Sequence, residues 1–363
     1  MKWLNVLLIF GVVAVVGELA GWAPLLVFVA SGLAMVPLAG LMGEATEALA
    51  VHTGPRLGGL LNATLGNAAE LIITIMAIRE GILNPAINEH MLELVRASLT
   101  GSVLGNILLV LGLSILIGGL RHGTQKFDRG HAGTSATLLL LAVAALVIPS
   151  IFSHGIEVVN HDAVEYLSLG VAGVMIGLYV LSLIYQLRDP AAHTYEDDEY
   201  AAVQEEAPHW TPLRAGIMLL LATVGIVWMS ELLVGTVEHV VVEIGISEFF
   251  LGIIIVPLIG NVAEHLVAVQ VAAKNKMELS LAISVGSSLQ IALFVAPLLV
   301  FISLLMRNPL TLVFNQFELI ALMAAALIAG LVSLDGESNW LEGSMLLAIY
   351  IILALAFFWL PMV

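Results

Sequence analysis

The 363-residue chain contains no cysteine. Disulfides, thiolate metal sites and cysteine nucleophiles are therefore excluded. Charge is nearly as scarce: Asp, Glu, Lys and Arg make up 11% of the residues, against about a quarter in an ordinary soluble protein. Basic residues are the scarcer sign, with 12 Lys and Arg against 28 Asp and Glu and a formal net charge of −16. No basic patch exists to hold nucleic acid. There is no His-Glu-x-x-His and no serine–histidine pairing stands out, which argues against an intramembrane hydrolase and against enzymatic activity. No cofactor motif is present.

What fills the chain is apolar. Hydrophobic residues reach 60%, and the mean hydropathy is +1.05. One water-soluble core could not hide that much apolar surface. Runs long enough to cross a bilayer recur instead. A β-barrel would alternate apolar and polar residues over short segments, and these runs do not. The fold class is all-α and polytopic. Hydropathy predicts about eleven spans, at 3–19, 24–42, 58–79, 92–119, 132–152, 163–187, 213–241, 248–273, 278–305, 317–334 and 340–360. The opening "MKWLNVLLIFGVVAVV" has the look of a signal peptide. No small-residue cleavage site comes after it and spans continue at once, so it reads as a retained first helix.

Basic residues orient the spans. With the N-terminus cytoplasmic, Lys2, Arg56, Arg121, Lys126, Arg129, Arg188, Arg214, Lys274 and Lys276 all fall inside, and only Arg79, Arg96 and Arg307 fall outside. The C-terminus is then outside. One long polar stretch, "RDPAAHTYEDDEYAAVQEEAPHW", separates two halves and should be cytoplasmic. It reads as a solvated linker, with a weak calcium-attracting strip as the sharper alternative.

The halves repeat. "GNAAE" at 66–70 matches "GNVAE" at 260–264, and "GSVLGNILLVLG" at 101–112 matches "GSSLQIALFVAP" at 286–297. More loosely, "GEATEALAVHTG" at 43–54 matches "GTVEHVVVEIG" at 235–245, placing Glu47 opposite Glu238. The blocks keep the same order. The expected organisation is an N-terminal helix (1–23), a five-helix repeat (24–187), the acidic linker (188–212) and a second five-helix repeat (213–363). Five is odd, so the second copy must lie inverted in the membrane. That is the plan of secondary transporters, with the site at the midplane between the copies.

The chemistry concentrates in the repeated motifs. Asn67 and Glu70 share one helical face, as do Asn261, Glu264 and His265. A carboxylate at membrane depth costs several kcal/mol unless it is paired, protonated or facing water. Two from pseudo-symmetric positions would meet at the centre and offer hard oxygens, which suits a divalent cation, calcium first. Gly66, Gly260 and Pro257 allow the helices to kink or unwind and turn carbonyls inward. Ser102 and Asn106, then Ser287, Ser288 and Gln290, can ligate the cation or hold the carboxylates. His265 reads as a partner of the carboxylates, with a share in proton coupling. Glu44, Glu47, Glu231 and Glu238 lie near predicted membrane boundaries.

On these residues the chain resembles the calcium/proton exchanger branch of the cation/calcium antiporters. The resemblance rests on "PLAGLMGEATEALAVHTGPRLGGLLNATLGNAAELI" and "GNVAEHLVAVQVAAKNKMELSLAISVGSSLQIALFVAPL" and extends over essentially the whole chain. Leu65 and Gly105 depart from residues common in that family. The resemblance implies that Glu70 and Glu264 carry calcium and protons in alternation, and that the second and seventh helices form a gating bundle against a static core. Glu44, Glu47 and Glu238 then become acids of the gating helices.

Burial and like-charge repulsion both favour the protonated form of a carboxylic acid, so protons can compete with calcium for the same oxygens. The expected activity is exchange of cytosolic Ca²⁺ for H⁺ by alternating access, with both ions as substrates and the bilayer as surroundings. A sodium- or potassium-coupled exchanger of the same fold is the nearest alternative, and a cation channel is the alternative from another class. A homo-oligomer stays open. The expected membrane is a prokaryotic cytoplasmic one, with a vacuolar-type membrane second.

Overall fold

A computed structural model describes residues 4–53, 61, 64–157, 162–188 and 210–360. The acidic linker predicted at 188–212 lies largely outside the described residues, as do Lys2 and Arg56, two of the basic residues that orient the spans. Among the described residues the chain forms eleven helices in succession. They are α1 (Leu4–Leu19), α2 (Pro24–Thr53), α3 (Ala68–Leu83), α4 (Pro85–His122), α5 (Arg129–Glu157), α6 (Asp162–Arg188), α7 (Pro212–Ile244), α8 (Glu248–Ala273), α9 (Met277–Leu305), α10 (Gln316–Val332) and α11 (Trp340–Phe358). Eight of the described helices are long and apolar enough to cross a bilayer, and α1 and α10 are shorter apolar helices.

Every predicted span has a helix, but several boundaries move. The second was expected to end at 42, where Gly43-Glu44 interrupts the apolar run. Instead α2 continues to Thr53. Hydropathy stops at the first acid, whereas a helix stops only where its hydrogen-bond ladder fails. α4 likewise begins at Pro85 and runs to His122, because its first turns are polar yet helical. The span expected at 58–79 is broken by a turn at Gly66–Asn67: Leu61, Thr64 and Leu65 before it are helical, α3 runs from Ala68, and the expected start at 58 lies outside the described residues.

The ends obey local chemistry. α7 starts on Thr211, whose hydroxyl accepts the Arg214 N–H, with Pro212 in the first turn, and stops at Gly245 with φ 75°. A left-handed residue there suits glycine, which has no Cβ to clash. α10 and α11 open with capping boxes, Asn315 with Glu318 and Asn339 with Glu342.

Short turns make neighbouring helices antiparallel, so the body has two faces. One carries the turns after α3, α7 and α9. The other carries the turns after α4, α8 and α10. On this second face Gln125–Lys126 (β1) pairs antiparallel with Glu337–Ser338 (β2). There the Gln125 amide also donates to Ala272 O and to Asn275, and His122 bonds Ala273 O. Arg121, Lys126, Arg129, Lys274 and Lys276 sit on or beside these turns.

Two packing units emerge. α2 and α7 lie along each other over much of their length, with α1 against α2. α3–α6 and α8–α11 form the rest, in which α4 crosses α8 backbone to backbone. A Cβ on Gly101 would collide with the Ile253 carbonyl, and one on Gly252 would come within 2.8 Å of Leu94 O. Small residues permit such crossings where apolar burial gives helices no preference over lipid.

Candidate functional site

The crossing of α3, α4, α8 and α9 brings the two motifs together. Glu70 leaves the first turn of α3 and is only 2% exposed. Its Oε1 accepts hydrogen bonds from Ser102 Oγ of α4 and, at 2.5 Å, from Asn261 Nδ2 of α8. The Asn261 amide also reaches Ser102 Oγ at 3.3 Å. The other oxygen, Oε2, is buried and has no hydrogen-bond partner. Glu264 is half-buried, and its Oε2 accepts from Ser287 Oγ of α9 at 2.6 Å. It lies about one helical turn beyond Gly260, whose backbone abuts the Glu70 side chain. Each acid is therefore held by a serine on the next helix in the chain.

The amides divide in use. Asn67 Nδ2 donates to Gln290 Oε1 at 2.6 Å, joining α3 to α9 and leaving Asn67 Oδ1 buried without a partner. Asn106 does not join the carboxylates. It pairs with His265 Nε2 at 3.1 Å, and both side chains are buried. Four residues apart, Ser102 and Asn106 would share one face of a regular α-helix, but α4 widens into a π-helical stretch, Gly105–Val110, ahead of Asn106. A matching stretch, Ile291–Val295, begins immediately after Gln290 in α9. Such insertions commonly mark functional segments. Ser288 turns away and bonds Ser284 O in its own helix.

The two motif glycines behave differently. The chain does break into a turn at Gly66–Asn67. At Gly260 it does not: α8 runs unbroken there, and its π-helical stretch lies upstream at Leu251–Ile255. Gly260 serves close approach instead, since a Cβ there would stand 3.0 Å from Glu70 Cγ.

The three acids expected on the gating helices differ in placement. Glu44 and Glu47 are half-buried on the later half of α2, toward the β1–β2 face. Glu238 is exposed near the opposite end of α7. Among the described residues no group of three or more His, Asp or Glu forms an all-ionic metal cluster. The oxygens at the crossing are two carboxylates supplemented by neutral amides and hydroxyls. That mixture suits a hard cation such as calcium.

Two features escaped the sequence reading. Glu318 is a buried acid outside the site, with Asn315 N donating to its Oε2 at 2.7 Å. The Asn-x-x-Glu pattern before an apolar run was its signal. Arg79, read as a basic residue on the outside, and Glu231, read as lying near a membrane boundary, form an ion pair at 2.8 Å between α3 and α7. No sequence signal joins them.

With this geometry in hand, similarity to known proteins is specific. A "Ca(2+)/H(+) antiporter" of Synechocystis sp. is 43% identical, covering 98% of this chain and 97% of that protein. The "Ca(2+)/H(+) antiporter ChaA" of Bacillus subtilis is 43% identical, covering 95% of each. The solved structure of native YfkE superposes with a TM-score of 0.83 at 41% identity, over 98% of this chain and 100% of that one. The H⁺/Ca²⁺ exchanger CAX, at 18% identity and TM-score 0.71, shares the fold, over 98% of this chain and 91% of that one. The family model described as sodium/calcium exchanger protein matches residues 23–188 and 215–359. The chain belongs to the sodium/calcium exchanger protein family.

Proposed function

We propose that this chain is a secondary active Ca²⁺/H⁺ antiporter that works by alternating access, with Glu70 and Glu264 as the groups that hold either Ca²⁺ or protons. The observation that carries this reading is the meeting of the two motif glutamates at one crossing. Each is fixed through one oxygen by a serine, and Glu70 Oε2 and Asn67 Oδ1 are left without hydrogen bonds. The near-full-length similarity to proteins named Ca²⁺/H⁺ antiporters supports the choice of ions.

The serines and Asn261 leave the carboxylates little freedom to rotate, so less entropy is lost when a cation arrives. Asn67, itself fixed by Gln290, offers a neutral oxygen beside Glu70. His265 and Asn106 tie α8 to α4 and set the depth of Glu264. An empty site with two ionised carboxylates is costly to seal from water. One Ca²⁺ neutralises it, and so does protonation, so both loaded forms can switch while the bare form cannot. Competition for the same oxygens is then the coupling.

We assign the switching to α2 and α7, which pack on each other and flank the site. The repeat organisation, 24–187 and 213–363 in inverted orientation, fits the π-helical stretches that come after Ser102 in α4 and after Gln290 in α9. It also fits Glu47 and Glu238 lying toward opposite faces. The basic residues around the β1–β2 face assign that face to the cytoplasm. The host membrane is read as the cytoplasmic membrane of a prokaryote.

The test is calcium uptake into everted vesicles or proteoliposomes, driven by an imposed pH step without sodium or potassium. Uptake that collapses with a protonophore supports the reading. Uptake that requires sodium or potassium points to the alternative coupling, and flux without proton counter-transport points to a channel.

A further inference from the structure

The ion pair between Arg79 and Glu231 has a particular placement. Two other ion pairs stay within the larger helical unit: His90 with Glu248 joins α4 to α8, and Lys126 with Glu337 joins β1 to β2. Arg79–Glu231 instead joins α3, which carries Glu70, to α7 of the α2–α7 pair. Arg79 is nine residues beyond Glu70 on α3, about 13 Å along the axis at 1.5 Å per residue. It lies toward the face that carries the turns after α3 and α7.

On the other side of the site α2 packs on α8, and the closeness of that contact changes along α2. Gly32 of α2 is tight against α8, since a Cβ there would be 2.9 Å from Ile259 Cδ1. Further along α2, a Cβ on Gly40 would be 4.0 Å from Ala263, and one on Gly43 would meet nothing within 4 Å. Gly32 and Gly43 are eleven residues apart, three helical turns, and so share a face. The contact between α2 and α8 thus loosens toward the β1–β2 face, where Glu44 and Glu47 lie. The α2–α7 pair is therefore tied to α3 on the Arg79 side and less tightly packed on α8 toward the β1–β2 side.

The geometry points to Arg79 and Glu231 as a state-selective latch: positioning residues that hold α7 on α3 while the site is open to the β1–β2 face, and that part when it opens to the opposite face. This rests on the alternating-access reading above. The two side chains are 44% and 51% exposed, so the pair biases an equilibrium rather than locking it. An exposed ion pair contributes at most about fivefold to such an equilibrium. That is the range in which a transporter can still cycle.

A cysteine-free chain makes the test direct. Arg79→Cys with Glu231→Cys supplies the only two thiols, which a bis-methanethiosulfonate can bridge and dithiothreitol can release. Bridging should stop proton-driven calcium exchange, and reduction should restore it. A bridged protein that exchanges at the unbridged rate overturns the latch, because α7 then does not leave α3. The second arm uses charge. Arg79→Gln should raise the half-saturating calcium on the β1–β2 side about two- to fivefold and lower it on the opposite side. Arg79→Glu combined with Glu231→Arg should bring both values back. Equal half-saturation in Arg79→Gln and wild type on both sides overturns the proposal. Wild type run in parallel separates the claims: no proton-driven exchange there refutes the functional reading itself.

Discussion

Glu70→Gln tests the centre of the site with little change in shape. In the native protein Oε1 accepts from Ser102 and Asn261, while Oε2 has no partner. A glutamine can keep its carbonyl oxygen on both donors and place its NH₂ where Oε2 was. The packing and both hydrogen bonds survive, so thermal unfolding should stay close to wild type. What disappears is one of two negative charges and the only unpartnered carboxylate oxygen of Glu70. A divalent cation at ligand distance from one carboxylate, at an effective dielectric constant near 20, gains on the order of 10 kcal/mol of Coulomb energy. A micromolar site amounts to about 8 kcal/mol in total. Loss of that one charge should therefore remove calcium binding altogether. Since the glutamine also cannot take up and release a proton, exchange should fall to background in the pH-step vesicle assay. Glu264→Gln should do the same from the other helix. Proton-driven calcium uptake near the wild-type rate in either folded variant would refute the assignment of these carboxylates.

Asn67→Ala and Asn261→Ala should raise the half-saturating calcium more than they slow turnover, because each loses a neutral oxygen or a carboxylate donor and leaves both charges in place. A hydrogen bond to a charged group corresponds to about 1.5–3 kcal/mol, so a roughly tenfold or greater shift is expected for Asn261, and an unchanged calcium dependence in both variants would reduce them to packing. Gly101→Val should cost at least about 1–3 kcal/mol or prevent folding, since its Cβ meets the Ile253 backbone, with Cα at 2.7 Å; a wild-type melting profile would refute the close crossing. Neutralising Glu196, Asp197, Asp198 and Glu199 together should leave exchange intact and at most raise the half-saturating calcium. That rise should shrink as salt rises, because screening acts over about 8 Å at physiological ionic strength, and loss of all transport in a folded protein would make the segment part of the machine.

The class of fold was legible from the residues alone, because hydropathy over a bilayer's width is a strong local signal and a buried backbone in lipid must be helical. Glu70 and Glu264 also stand out in the sequence as charges at membrane depth within a repeated motif, and the packed helices bring the two motifs to one crossing. The pairing of each acid with a serine was half legible, since Ser102 and Ser287 occupy matching blocks. The partners beyond these needed the packed helices. That Asn261 reaches across to Glu70, that Asn67 is tied to Gln290, and that Asn106 goes to His265 depends on how four helices cross. The π-helical stretches shift those crossings with no clear sequence mark. The length of α2 was hidden because apolar content stops at Gly43 while the hydrogen-bond ladder does not. The unequal exposure of the two glutamates, and the ion pair between Arg79 and Glu231, belong to the conformation the chain adopts. A repeat in sequence makes the halves alike, and only packing makes them differ, because the exposure of each side chain depends on the neighbours that cover it.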